Sequence, residues 1–209
     1  MAGILDLLKG EMGNTLIQGV SKQFGLEQGT SQKAISTAMP LILGAMKNNA
    51  SSPEGASGLL NALTGKHDGS ILDKLGSVLG GDSVDEDVLQ DGSGILKHVF
   101  GGKQDNVAMA VSKSSGIDMG TAMNILKVAG PFLMGALGKK TREVGVADQG
   151  GLSDLLGGML GNGHKEQQSL VNRLLDADGD GSIIDDVAGM LLSGGKKGGI
   201  GSLLGGFFK

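Results

Sequence analysis

The 209-residue chain has no cysteine, no tryptophan and no tyrosine, and only three prolines and five phenylalanines. Without cysteine there is no disulfide, no thiol nucleophile, no iron–sulfur cluster and no cysteine-bound zinc. So few aromatics leave no platform for stacked bases. Eighteen basic against 22 acidic residues, net charge −4, supply no phosphate-neutralising excess, so nucleic acid is not expected as a partner. Long apolar runs are missing too. The longest, 38–46 and 128–137, fall far short of the ~20 residues that span a bilayer. The opening MAGILDLLKG has no basic leader and carries an acid inside its apolar run, unlike a secretory signal. A cytoplasmic location is the expectation.

Catalytic signatures are equally scarce. There is no Gly-x-x-x-x-Gly-Lys-Ser/Thr, no Gly-x-Ser-x-Gly and no His-Glu-x-x-His. The three histidines, His67, His98 and His164, have no histidine partner at helical spacing. Packing roles are expected of them, with a structural hydrogen bond for His98. No enzyme activity and no small-molecule substrate are expected.

What the chain has in excess is glycine, 40 residues or nearly one in five. Leu, Ile, Val and Phe together stay above the ~20% floor for disorder, so the chain can bury a core. No segment alternates with period two and β-branched enrichment, so the fold class is all-α and multi-helical.

The sequence also repeats. Residues 20–49 and 111–140 align without gaps, with ten of thirty positions identical, which reads as two diverged copies of one unit. In each, a short amphipathic helix (15–24; 105–114) ends at Gly25 or Gly116, suited to a left-handed cap. Thr30 or Thr121 then caps a second helix. Pro40 or Pro131 ten residues on should kink or restart it. Leu-rich helices follow at 57–63 and 70–79, and at 152–160, 166–175 and 184–192. The acidic stretch 81–102 reads as a linker. Glycine reads as punctuation between helices. The units run 1–81, 82–148 and 149–209, the last ending in a glycine-rich, weakly basic tail at 194–209.

One stretch carries chemistry. Residues 176–187 read DADGDGSIIDDV. Asp176, Asp178 and Asp180 alternate ahead of Gly181, matching positions 1, 3, 5 and 6 of a helix–loop–helix Ca²⁺ loop. Alternate carboxylates in a tight loop converge on one hard cation, and Ser182 offers its carbonyl. The bidentate Glu at position 12 is replaced by Val187, so Asp185 or Asp186 must close the loop. The plainer alternative is an acidic corner in which Asp180-Gly-Ser starts a helix. Asp-Gly-Ser recurs at 68–70 and 91–93, again before an Ile-Leu pair, and reads there as a helix-start device.

The segments GILKHVFGG (94–102), VSKSSGIDMG (111–120) and AGPFLMGALG (129–138) resemble the YidB-like bacterial family, domain of unknown function 937. The likeness is strongest over 91–142 and looser over 15–49. It implies an all-helical fold and brings no catalytic residues. The expected function is therefore a non-catalytic helical interaction or scaffold protein that binds Ca²⁺ through an EF-hand-like loop. Self-association, a protein partner, or a membrane surface met through the amphipathic tail are the alternatives.

Overall fold

The computed structural model describes residues 3–81 and 83–161. Among these residues every regular element is helical. The chain opens with α1 (Ile4–Lys9) and α2 (Glu11–Phe24), and α2 turns at Gly25, φ 63°, into α3 (Gln28–Asn49). Then come α4 (Pro53–Thr64), the single turn α5 (Ser70–Asp73) and α6 (Leu75–Gly80). Next is α7 (Glu86–Phe100), followed by a 3₁₀ turn at Gly101–Lys103 and α8 (Gln104–Ser115). Gly116, φ 75°, leads into α9 (Met119–Val144), and α10 (Gln149–Leu160) ends the described chain.

The two longest helices, α3 and α9, pack against each other, and the remaining helices lean on them, except α6, which packs on α2. Both carry long buried runs, Leu41–Met46 in α3 and Val128–Gly138 in α9, as expected of helices covered on nearly every side. The α2–α3 and α8–α9 corners close alike. In each, the glycine amide and the next one (Leu26, Ile117) donate to a serine carbonyl one turn back, Ser21 or Ser112. Left-handed glycine at this position satisfies carbonyls that the helix end would leave open.

Four local expectations are corrected. The cap of the second helix of each corner lies three residues before Thr30 or Thr121. The N-caps are Glu27 and Asp118, and Asp118 accepts from the Thr121 amide and hydroxyl. The helices run through Pro40 and Pro131 without a break. The acidic stretch 81–102 is mostly α7, because Glu86 and Asp87 fall in its first turn, where carboxylates favour the helix dipole. Within it, Asp91-Gly-Ser lies mid-helix, whereas Asp68-Gly-Ser does start a helix, with Asp68 accepting from the Ser70 amide.

Glycine also does more than punctuate. Gly92 of α7 packs onto α9 so closely that an added Cβ would lie 1.8 Å from the Lys127 carbonyl oxygen. That carbonyl is the one whose i+4 amide is missing, because residue 131 is proline. Gly138 of α9 similarly sits under the His67 carbonyl, and Gly135 under Ile71. Backbone-to-backbone approach of this kind needs hydrogen in place of a side chain.

Candidate functional site

α4 and α7 both rest on α3 and α9, yet stand apart from each other. Between them lies an open groove of about 1010 Å³. Its floor is Met46 of α3 and Met134 of α9, both buried. One wall is Gly55, Gly58, Leu59 and Ala62 of α4, and the other is Val88, Gly94, Ile95 and Val99 of α7. Gly58 and Gly94 face open space, with nothing within 4 Å of an ideal Cβ. They widen the groove rather than seat a neighbouring helix. Val88, Ile95 and Val99 stand seven and four residues apart along α7, the spacing of one helix face.

One end of the groove is polar. Lys66 Nζ binds Asp91 Oδ1 at 2.5 Å, and His67 Nδ1 lies 3.7 Å from Asp91 Oδ2. His67 is 7% exposed and faces the groove. Burial is the largest influence on its imidazole and lowers its pKa. The Asp91 carboxylate pulls the other way, and the Lys66 ammonium adds to the lowering. A neutral imidazole is therefore held against the groove at neutral pH. The loop bearing these residues is clamped from below. Arg142 of α9 donates to the Asp68 carbonyl and pairs with its carboxylate at 3.1 Å. At the opposite end, Asn49 donates to the His98 and Val99 carbonyls at 3.2 Å and so ties α3 to α7. The hydrogen bond expected at His98 is thus made by its backbone, while its exposed side chain lines the groove.

The predicted metal ligands Asp176, Asp178, Asp180, Ser182, Asp185 and Asp186 lie outside the described residues. Among the described residues no three His, Cys, Asp or Glu side chains gather at one point. No described helix is long and apolar enough to cross a membrane. Sequence reasoning missed the Lys66–His67–Asp91 group because Asp91 was assigned to a helix start. The signal for the α7 side of it is the seven- and four-residue spacing of Val88, Ile95 and Val99, which places Asp91 on the same face one turn before Ile95.

No curated protein and no solved structure matches the chain. Residues 6–140 and 142–208 match the family described as "Bacterial protein of unknown function (DUF937)", a wider span than the 91–142 stretch where the resemblance is most legible in the sequence. The chain belongs to the DUF937 family of bacterial proteins.

Proposed function

We propose that the protein is a non-catalytic helical interaction or scaffold protein, built from two diverged YidB-like units, whose α4–α7 groove takes an apolar helix face of a protein partner. The groove carries this reading. Its floor and middle are apolar between polar ends, its walls are two helices held apart, and glycines stand where side chains would narrow it. Helix-in-groove recognition works through such a trough, with anchors at i, i+3, i+4 and i+7 of the guest. The polar end supports binding over chemistry, because Asp91 is engaged by Lys66 and the one hydroxyl residue in the lining, Ser52, accepts from the Gly55 amide as the cap of α4.

The test is a library of amphipathic helical peptides panned against the intact chain, with Gly58→Leu/Gly94→Leu as counter-screen. Both positions have room for a Cβ, so leucine there narrows the trough from its walls, and circular dichroism checks that the double variant keeps the parent's helix content. Peptides that bind the parent and lose tenfold or more in affinity on the double variant support the reading. Peptides that bind both equally, or no binders to either the parent or a Phe207→Asp/Phe208→Asp chain, refute it.

The Ca²⁺ loop belongs to the same proposal. Asp176, Asp178, Asp180, the Ser182 carbonyl and either Asp185 or Asp186 would supply oxygen ligands to one ion. The support is the alternating spacing and the glycine at position 6. Calorimetric titration of the full chain with Ca²⁺ should give saturable heat that Asp176→Ala/Asp178→Ala removes. Absence of heat in the low-millimolar range would refute the assignment.

A further inference from the structure

We infer that the groove is occupied in cis by residues 200–208 of the same chain, which makes it a self-covered docking site; the inference rests on the reading of the groove as a helix receptor. The segment reads IGSLLGGFF. Ile200, Leu203, Leu204, Phe207 and Phe208 stand at i, i+3, i+4, i+7 and i+8, which is one continuous face of a helix. Two of the chain's five phenylalanines are in it. Gly201 lies at the flank of that face, and Gly205 and Gly206 lie away from it. Glycine makes such a helix weak alone, so it forms when its apolar face is covered.

Charge selects this segment over the others beyond Gly161. Residues 194–209 carry Lys196, Lys197 and Lys209 and no acid, whereas 166–175 balances Glu166 with Arg173 and 184–192 carries Asp185 and Asp186 with no base. The charged residues of the groove are Lys66, Asp87 and Asp91. Lys66 is engaged by Asp91, and Asp87 has no ion-pair partner among the described residues. A basic guest matches that balance and an acidic one opposes it. Tether length permits the contact. The chain from 162 to 199 reaches on the order of 120 Å when extended, against a radius of gyration of about 15 Å for a folded body of this size. A tethered guest sits at roughly millimolar effective concentration, enough to hold a weak helix in place.

The absence of native cysteine makes a cross-linking test unambiguous. Gly201→Cys is paired in the full chain with Gly58→Cys, with Gly94→Cys, or with Gly29→Cys as control. Gly29 is exposed at the start of α3, about 30 Å from the groove end of that helix at 1.5 Å per residue. Under mild oxidation the two groove pairs should form an intramolecular disulfide at least tenfold faster than the control. Phe207→Asp/Phe208→Asp should abolish that advantage and should raise the affinity of library peptides for the groove. Equal rates for all pairs overturn the inference, as do disulfide-linked dimers, which would place the segment on a second copy. Co-sedimentation with anionic phospholipid vesicles in place of the cross-link overturns it in favour of a membrane surface. If library peptides bind the groove while no cross-link forms, the occupant is wrong and the receptor reading stands. If neither occurs, both fall.

Discussion

Gly92 and Gly94 are two residues apart on α7, and alanine at each should act in opposite directions. At an exposed mid-helix site, Gly→Ala stabilises by about 0.5–1 kcal/mol through backbone entropy. Gly94 meets that condition, since its ideal Cβ has nothing within 4 Å. At Gly92 the same Cβ would lie 1.8 Å from the Lys127 oxygen, 2.6 Å from its carbonyl carbon and 2.8 Å from its Cα. Carbon–oxygen contacts settle near 3.3 Å or beyond, so α7 and α9 must part by about 1.5 Å. The obstruction is backbone and cannot rotate away. The parting also opens the neighbouring contact, where Ile95 lies 3.4 Å from the Cβ position of Gly130. Overpacking of this kind costs roughly 2–3 kcal/mol, which the helix-propensity gain offsets only in part. The net expectation is a loss of about 1–2 kcal/mol for Gly92→Ala and a gain of about 0.5–1 kcal/mol for Gly94→Ala. Urea unfolding followed by circular dichroism measures both on one scale. If the two variants shift the midpoint in the same direction by similar amounts, the close α7–α9 approach is not what glycine serves there.

Three further predictions concern single groups. The pKa of His67 is lowered in the fold from 6.5, chiefly by burial. The unfolded chain therefore takes up the proton first, and the contribution of His67 is present above about pH 6.5 and lost as pH falls below it. Thermal melts from pH 8 to 5 should show this decline, and His67→Gln should flatten it. Asp118 has its pKa lowered mainly by hydrogen bonds from the Thr121 hydroxyl and amide. Asp118→Ala should lower the melting temperature at neutral pH, and its deficit should narrow as pH falls through the depressed carboxyl value, where the parent loses the same contribution. Thr141 is 2% exposed, and its hydroxyl has no partner among the described residues. Thr141→Val keeps the shape and should stabilise by about 1 kcal/mol; destabilisation in the same unfolding assay would mean the hydroxyl is engaged.

Features that depend on near neighbours in the chain were the legible ones. Helix ends at Gly25 and Gly116 follow from a glycine placed after an amphipathic run, and both adopt the left-handed region at φ 63° and 75°. The all-helical class follows from 3–4 periodicity. The N-caps were displaced by one turn because Asp118 and Thr121 are both good capping types, and only the geometry distinguishes the acceptor from the donor. Pro131 reads in the sequence as a kink or a restart because a proline costs its helix one hydrogen bond and a clash. α9 runs through it because burial on both sides of residue 131 holds the helix together. The Lys66–His67–Asp91 end of the groove was out of reach, since it joins a loop to a helix 24 residues away and no local pattern announces that pairing.

The glycines of the described residues divide along the same line. Those that end helices are set by local backbone demands and can be read one at a time. Gly92, Gly135 and Gly138 are set by what crosses them, and nothing in their immediate sequence separates them from Gly58 and Gly94, which face open space. A helix-interior glycine therefore has two opposite meanings in this chain. Against a partner backbone it lets helices touch, and along the α4–α7 groove it keeps them from filling the space between. The first kind should tolerate no side chain. The second should accept one with a gain in stability and a loss of whatever the groove holds. That coupling of opposite signs at Gly58 and Gly94, more stable yet unable to bind, separates a groove kept open for a guest from an accident of weak packing, which would lose nothing on being filled.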